Sequence, residues 1–184
     1  MTYLLDVKNL STHFFTDAGL VKAVSDVSFS IRAGETVGLV GESGCGKSVL
    51  SLSLLRLVPF PGKTVSGSVQ FQIGSGTSID LLSLNPQKMR KLRGKKIAMI
   101  FQEPMTSLNP VMTIGDQIME AVLAHESVSK KEAYDRSWEM LQKVGLSDSK
   151  SRMEDYPHQL SGGMRQRVMI AMALVCKPDL LIAD

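Results

Sequence analysis

With 184 residues, 43% of them hydrophobic, the chain can bury a substantial core, and its length fits one α/β domain rather than two. Two cysteines and 11 methionines argue against a disulfide-stapled secreted scaffold and point to a reducing, cytosolic compartment. A net charge of +3 is too mild to name a partner, the start Met1–Asp6 lacks a secretory pattern, and no apolar run is long enough to span a bilayer, so a membrane role would have to come through a partner.

In chain order, Leu4–Leu10 and Ala23–Ile31 read as β-strands. After the Ala33-Gly34 turn, Thr36–Val40 is apolar throughout and reads as a strand buried on both faces. It runs into Gly41-Glu42-Ser43-Gly44-Cys45-Gly46-Lys47-Ser48, and Lys47–Leu57 then reads as a helix. Gly67–Ile73 alternates like a half-buried strand, and Ile97–Phe101 is a further apolar one. The basic cluster Lys88–Lys96 between them reads as a solvated helix end rather than a nucleic-acid patch. Thr113–Ala124 is a helix. Ser129-Lys130-Lys131-Glu132 has capping-box spacing and opens another that stops at Gly145, with Ala133, Ser137, Met140, Leu141 and Val144 on one face. Gly162-Gly163 leads a last helix carrying Met164, Val168, Met172 and Val175 on one side, and Pro178 breaks it before a short strand ending at Asp184. There is no repeat, low-complexity tract or flexible linker.

Gly41 to Ser48 is a phosphate loop in its expected context of strand, glycine turn and helix. A triphosphate is a dense cluster of negative charge, so its site needs many donors and room for the backbone to come close. Gly41, Gly44 and Gly46 give that room, and the amides from Ser43 to Val49 can turn toward phosphate at the positive end of the helix. Lys47 can reach the β- and γ-phosphates, and the Ser48 hydroxyl can ligate Mg²⁺. Cys45 has no histidine or second cysteine beside it and reads as a small spacer within the loop.

Leu160-Ser161-Gly162-Gly163-Met164-Arg165-Gln166-Arg167 is a second glycine pair opening a helix. Paired with the phosphate loop, this stretch resembles the signature motif of the ABC ATPases. The resemblance implies an α/β fold, a P-loop NTPase of the ABC ATPase type with an antiparallel β subdomain and a helical signature subdomain. It divides residues 1–184, as a single nucleotide-binding domain, into a β subdomain and phosphate-loop core (1–101), a glutamine loop with helical subdomain (102–162), and the signature helix with the Walker B strand (163–184). It also implies a dimer in which Ser161 and Gly163 of one subunit contact the γ-phosphate of ATP held by the other. Gln102, after Ile97–Phe101, matches the glutamine loop, which senses Mg²⁺ and the attacking water and links to the membrane partner. Asp184 ends a stretch similar to the Walker B strand and would hold Mg²⁺ through water. Phe14 resembles the aromatic that stacks on adenine, with Phe15 as an adjacent competitor. Lys47, Gln102 and Asp184 are thus the catalytic candidates, and Ser48, Gln102 and Asp184 the metal candidates.

Phe101-Gln102-Glu103-Pro104-Met105-Thr106-Ser107-Leu108-Asn109-Pro110 and Tyr156-Pro157-His158-Gln159 resemble the dipeptide, oligopeptide and nickel importer branch, with His158 assigned to packing. The implied function is ATP-driven import of di- or oligopeptides at the cytoplasmic face of the cell membrane. The implied partners are permease subunits, a second ATP-binding subunit and, indirectly, an extracytoplasmic solute-binding protein. A nickel importer ATPase, a soluble ABC ATPase acting on nucleic acid and a module that senses ATP without hydrolysing it stay open as alternatives. Family members continue past the Walker B aspartate with a catalytic glutamate and a switch histidine, and none of His13, His125 or His158 stands in for the latter. The chain therefore reads as a piece of a longer protein, with nucleotide binding but little turnover of its own and poor stability expected.

Overall fold

The computed structural model describes residues 3–74, 76–102 and 107–184. The chain forms two compact units, Met1–Arg90 and Lys91–Asp184. Glu103–Thr106, within the importer-like stretch, lies outside the described residues.

The first unit is built on a four-stranded antiparallel sheet in the order β2-β1-β3-β4. Its strands are β1 (Leu5–Thr16), β2 (Gly19–Ile31), β3 (Gly62–Ile73) and β4 (Thr77–Asp80). β1 is central because it pairs with β2 from Leu5↔Ile31 to Thr16↔Gly19 and with β3 from Leu5↔Phe71 to Phe14↔Gly62. Leu5 and Val7 alternate with polar neighbours and meet Phe71 and Val69 across the ladder, and all four are fully buried. Both β1 pairings shift register around Leu10, where Asn9 and Asp26 take positive φ and Asn9 Nδ2 donates to Asp26 Oδ1 at 2.6 Å.

Helix α1 (Lys47–Leu54) buries Leu50, Ser51, Ser53 and Leu54. The Thr12 and Ser53 hydroxyls lie 2.8 Å apart in the interior, so α1 covers the face of β1 to which Thr12 belongs. The helix stops short of Leu57 because Arg56 turns left-handed at φ 53, and Leu57 N closes the end by donating to Leu52 O.

Thr36–Val40 is not a strand. It pairs with no strand among the described residues, and its apolar side chains stand in solvent, Val40 at 93% exposure. Its composition reports what a buried strand needs on its two faces but says nothing about whether a ladder partner is present.

Helix α2 (Pro86–Leu92) buries Met89 and leaves Lys88, Arg90 and Lys91 in solvent, as a solvated helix end should. In the second unit, β5 (Ile97–Ile100) and β6 (Leu180–Ala183) form a parallel pair with Ile97↔Leu180 and Ile100↔Ala183 in register. The helices are α3 (Ile114–Leu123), α4 (Lys130–Lys143), α5 (Ser149–Arg152) and α6 (Gly162–Leu174), with a 3₁₀ turn at Pro157–Gln159. Thr113 and Ser129 cap α3 and α4 by accepting from Asp116 N and Glu132 N. Ile114, Ile118 and Val122 recur at one turn's spacing and are fully buried with Ala133, Leu141 and Val168. On α6 the burial is wider than a single stripe: Val168, Met169, Ala171 and Ala173 are all inside, while Met164 and Met172 are half-buried.

His125 follows α3 and packs on the turn before β5, where a Cβ on Gly94 would sit 2.8 Å from its Nε2. Burial lowers the His125 pKa from its ordinary 6.5, the Lys95 ammonium adds to this, and Glu126 opposes it. The folded chain therefore favours neutral imidazole, and the unfolded chain takes up the proton first as pH falls below 6.5, so stability is lost on acidification. The melting temperature is expected to fall from about pH 7 to about pH 5.5, and the fall should be shallower in His125→Asn; equal slopes in the two proteins would refute this linkage.

Candidate functional site

The phosphate loop rises into α1 through Gly46, the N-cap residue, at φ 95. A Cβ there would lie 2.2 Å from the carbonyl oxygen of Ala23 on β2, so both the backbone conformation and the close approach demand glycine. No side chain caps the helix, and the amides of its first turn have no intrahelical acceptors. They form a cluster of donors at the positive end of a helix dipole.

Lys47 Nζ is fixed by two carbonyls of its own loop, Gly41 O at 2.8 Å and Glu42 O at 2.7 Å. Cys45 Sγ lies 3.6 Å from the same ammonium and folds back against Gly41, where a Cβ would sit 2.5 Å from the sulfur. This contact gives Cys45 the spacer role its loop position suggests. An ammonium has three donors; holding two on backbone oxygens confines the charge to the loop instead of letting it swing on its four-carbon stem. A concave pocket of about 390 Å³ opens beside the loop, lined by Lys22, Ala23 and Val24 of β2 and by Leu39, Cys45 and Lys47. Ser48 and Val49 occupy the first turn of α1 and are half-buried.

Phe14 is half-buried on β1, paired with Val21 and Gly62, and its ring lies over Gly62, where a Cβ would come within 2.6 Å of Cε1. Pairing with β3 is regular from Thr12 to Phe14, so Phe14 shares the α1-facing side with Thr12. Phe15 points to the opposite face and is 55% exposed. This separates two neighbours that the sequence leaves in competition.

In the second unit, Gln102 is exposed just past the end of β5, and Asp184 follows β6 directly. Asp184 N donates to Ile100 O at 3.1 Å, which places both residues at the carboxyl ends of paired parallel strands, where open α/β sheets collect ligands. Ser161 caps α6, its hydroxyl accepting from Met164 N at 3.4 Å. Gly162 and Gly163 are exposed, with nothing within 4 Å of where a side chain would begin. The approach to this helix is braced: Gln159 Oε1 accepts from Tyr156 N at 2.7 Å, Arg165 Nε donates to Pro157 O at 2.7 Å, and His158 stacks on Tyr156. The Arg165 brace has no signal in composition or spacing, because it joins a side chain to a backbone atom whose position only the fold decides. Among the described residues there is no cluster of three or more His, Cys, Asp or Glu suited to a metal, and no helix is long and apolar enough to cross a membrane.

The family model for ABC transporters matches residues 24–184. The chain belongs to the ABC transporter family. Among its relatives, the dipeptide transport ATP-binding protein DppD of Haemophilus influenzae is 53% identical over 98% of this chain and 53% of its own length. The oligopeptide transport ATP-binding protein AppD of Bacillus subtilis is 53% identical over 100% of this chain and 55% of its own length. The chain thus spans about half the length of the curated ABC transporter relatives it matches. Its fold is that of the ATP-binding cassette MJ0796, solved as a dimer in a post-hydrolysis state bound to ADP and Pi, with a TM-score of 0.84 and 28% identity covering 98% of this chain and 73% of that one.

Two glycines in this ABC fold should respond oppositely to the same methyl group. Gly46→Ala is expected to destabilise the chain by at least about 1–3 kcal/mol and to abolish nucleotide binding, through backbone strain and the clash with Ala23 O. Gly162→Ala meets open space and should be neutral or stabilising by up to about 1 kcal/mol. Denaturant midpoints with fluorescent-ATP titration would contradict this ordering if both variants behaved alike.

Proposed function

We propose that the chain is the nucleotide-binding part of a subunit that couples ATP binding and hydrolysis to import of di- or oligopeptides. The observation that carries the nucleotide half is the Lys47 ammonium held at the mouth of α1 by Gly41 O and Glu42 O. The peptide half rests on relatives that are peptide, dipeptide and oligopeptide transport ATP-binding proteins.

In this reading residues 1–184 work as one nucleotide-binding domain. The amides of Gly41 to Val49 and Lys47 hold the phosphates, and Phe14 stacks on adenine. Ser48, Gln102 and Asp184 offer a hydroxyl, an amide oxygen and a carboxylate. All are hard oxygen donors, which suits Mg²⁺ better than a thiophilic or imidazole-seeking metal. A bound Mg²⁺ would neutralise charge on the transferred phosphoryl group. Ser161 and Gly163 face the γ-phosphate held by a second ATP-binding subunit, consistent with the dimeric form in which MJ0796 is solved. The partners are that subunit, membrane-spanning permeases and, through them, a solute-binding protein outside the membrane, with this subunit peripheral at the cytoplasmic face.

The test is reconstitution of the full-length subunit with its permeases in vesicles. Peptide should stimulate ATP hydrolysis and accumulate inside. Removing the ammonium in Lys47→Ala should weaken ATP affinity by roughly tenfold or more, as expected for a charged hydrogen-bond donor, and stop uptake. Uptake that persists in Lys47→Ala, or transport that ignores peptides and follows another solute, would overturn the corresponding half of the reading.

A further inference from the structure

The first turn of α3 makes bonds that helix packing alone does not call for. Gln117 is only 4% exposed, and its amide meets the backbone ahead of the helix. Oε1 accepts from Asn109 N at 2.8 Å, while Nε2 donates to Asn109 O at 3.0 Å and to Met112 O at 3.1 Å. The pairing with Asn109 uses both backbone groups of one residue, as a neighbouring antiparallel strand would. Leu108 adds a buried side chain to the same anchor. The segment held in this way is the one that leads away from Gln102.

The same turn also grips a second segment. Ile114 N and Gly115 N, donors that a helix start leaves without internal partners, reach Asp155 O and Met153 O, each at 2.8 Å. Gly115 permits the approach, since a Cβ would lie 2.8 Å from Met153 O and 2.9 Å from Met153 Cε. Beyond Asp155 the chain passes through the 3₁₀ turn Pro157–Gln159 and arrives at Ser161.

We propose that the first turn of α3 is a two-sided clamp, with Gln117 and Gly115 as positioning residues. It fastens residues 109–112, which follow Gln102 in the chain, and the approach to Ser161 to one rigid element, so that loosening either side of the clamp is felt at the other. The clamp rests on the roles assigned above to Gln102 and Ser161, and neither Gln117 nor Gly115 touches nucleotide in it. A helix start with only local duties would need its own cap, which Thr113 already supplies. The buried amide of Gln117 and the glycine at Gly115 are spent on two other stretches of chain.

The test uses the full-length subunit assembled with its permeases. Gln117→Leu keeps the bulk and removes every bond of the amide. Amide hydrogen exchange is expected to quicken by about tenfold or more both at Asn109–Thr113 and at Tyr156–Ser161, with α4 changed by less than about twofold. The maximal ATPase rate should fall by about tenfold with KM for ATP within about twofold of wild type, and Gln102→Ala should add little in this background because both act through one element. Faster exchange on the Asn109 side alone would make Gln117 a local brace and overturn the clamp. So would a uniform rise that includes α4, or an unchanged rate with both segments loosened. If Gln102→Ala by itself leaves turnover intact, the role given to Gln102 falls, and the exchange pattern decides the clamp alone. Should Gln117→Leu fail to fold, Gln117→Glu is read instead. Its carboxylate faces the carbonyls of Asn109 and Met112, and protonation restores one donor, so acidification should recover rate relative to wild type. A pH profile parallel to wild type would overturn the proposal.

Discussion

A lysine ammonium held between two carbonyls of its own loop sets the terms for the rest of this molecule. The free charge of Lys47 would otherwise sample a sphere around a flexible stem; Gly41 O and Glu42 O confine it to the mouth of α1. The loop can take this shape only because Gly46 goes left-handed against Ala23, so the long antiparallel sheet of the first unit is also the template for the phosphate loop. Thr12 and Ser53 then tie α1 to the central strand. Fold and proposed site are one arrangement here: a ligand of concentrated negative charge would be met by donors and a cation whose positions are fixed by folding, which lowers the cost of ordering them on binding.

The second unit uses the same physics with different parts. Parallel pairing of β5 and β6 places Gln102 and Asp184 at neighbouring strand ends, and the Ser161 cap turns two bare glycines outward at the start of α6. Open space around Gly162 and Gly163 suits backbone that must receive another surface closely. MJ0796, whose fold this chain shares, is solved as a dimer with bound ADP and Pi, and under the proposed function these features would form one half of a nucleotide site. In the proposed clamp, the network around α3 would serve such a site without contributing to it directly.

Much of this was legible in the amino-acid order, for reasons that can be named. The phosphate loop and the signature stretch are local: their chemistry depends on glycines, a lysine and hydroxyls at fixed spacing, and no distant partner is needed to recognise them. The cap at Ser129 is local in the same sense. Strand limits were less legible. β1, β2 and β3 run longer than their apolar cores because their ends are held by ladder hydrogen bonds rather than by burial. Thr36–Val40 failed for the complementary reason, an apolar segment without a ladder. Gln117 and Gly115 carried no signal at all, since a glutamine and a glycine in a helix look like solvent-facing and weak positions until the chain that passes over them is seen.

In the proposed nucleotide site the phosphate loop, with Lys47 and the α1 amides, would supply more of the affinity for ATP than stacking on Phe14. Calorimetric titration of the chain with ATP, ADP, AMP and adenosine in the presence of Mg²⁺ tests it most directly. ATP and ADP are expected to bind within about tenfold of each other, and AMP and adenosine at least about a hundredfold more weakly, since they lack the β-phosphate that Lys47 and the α1 amides would hold. Comparable affinity for adenosine and ATP would contradict it.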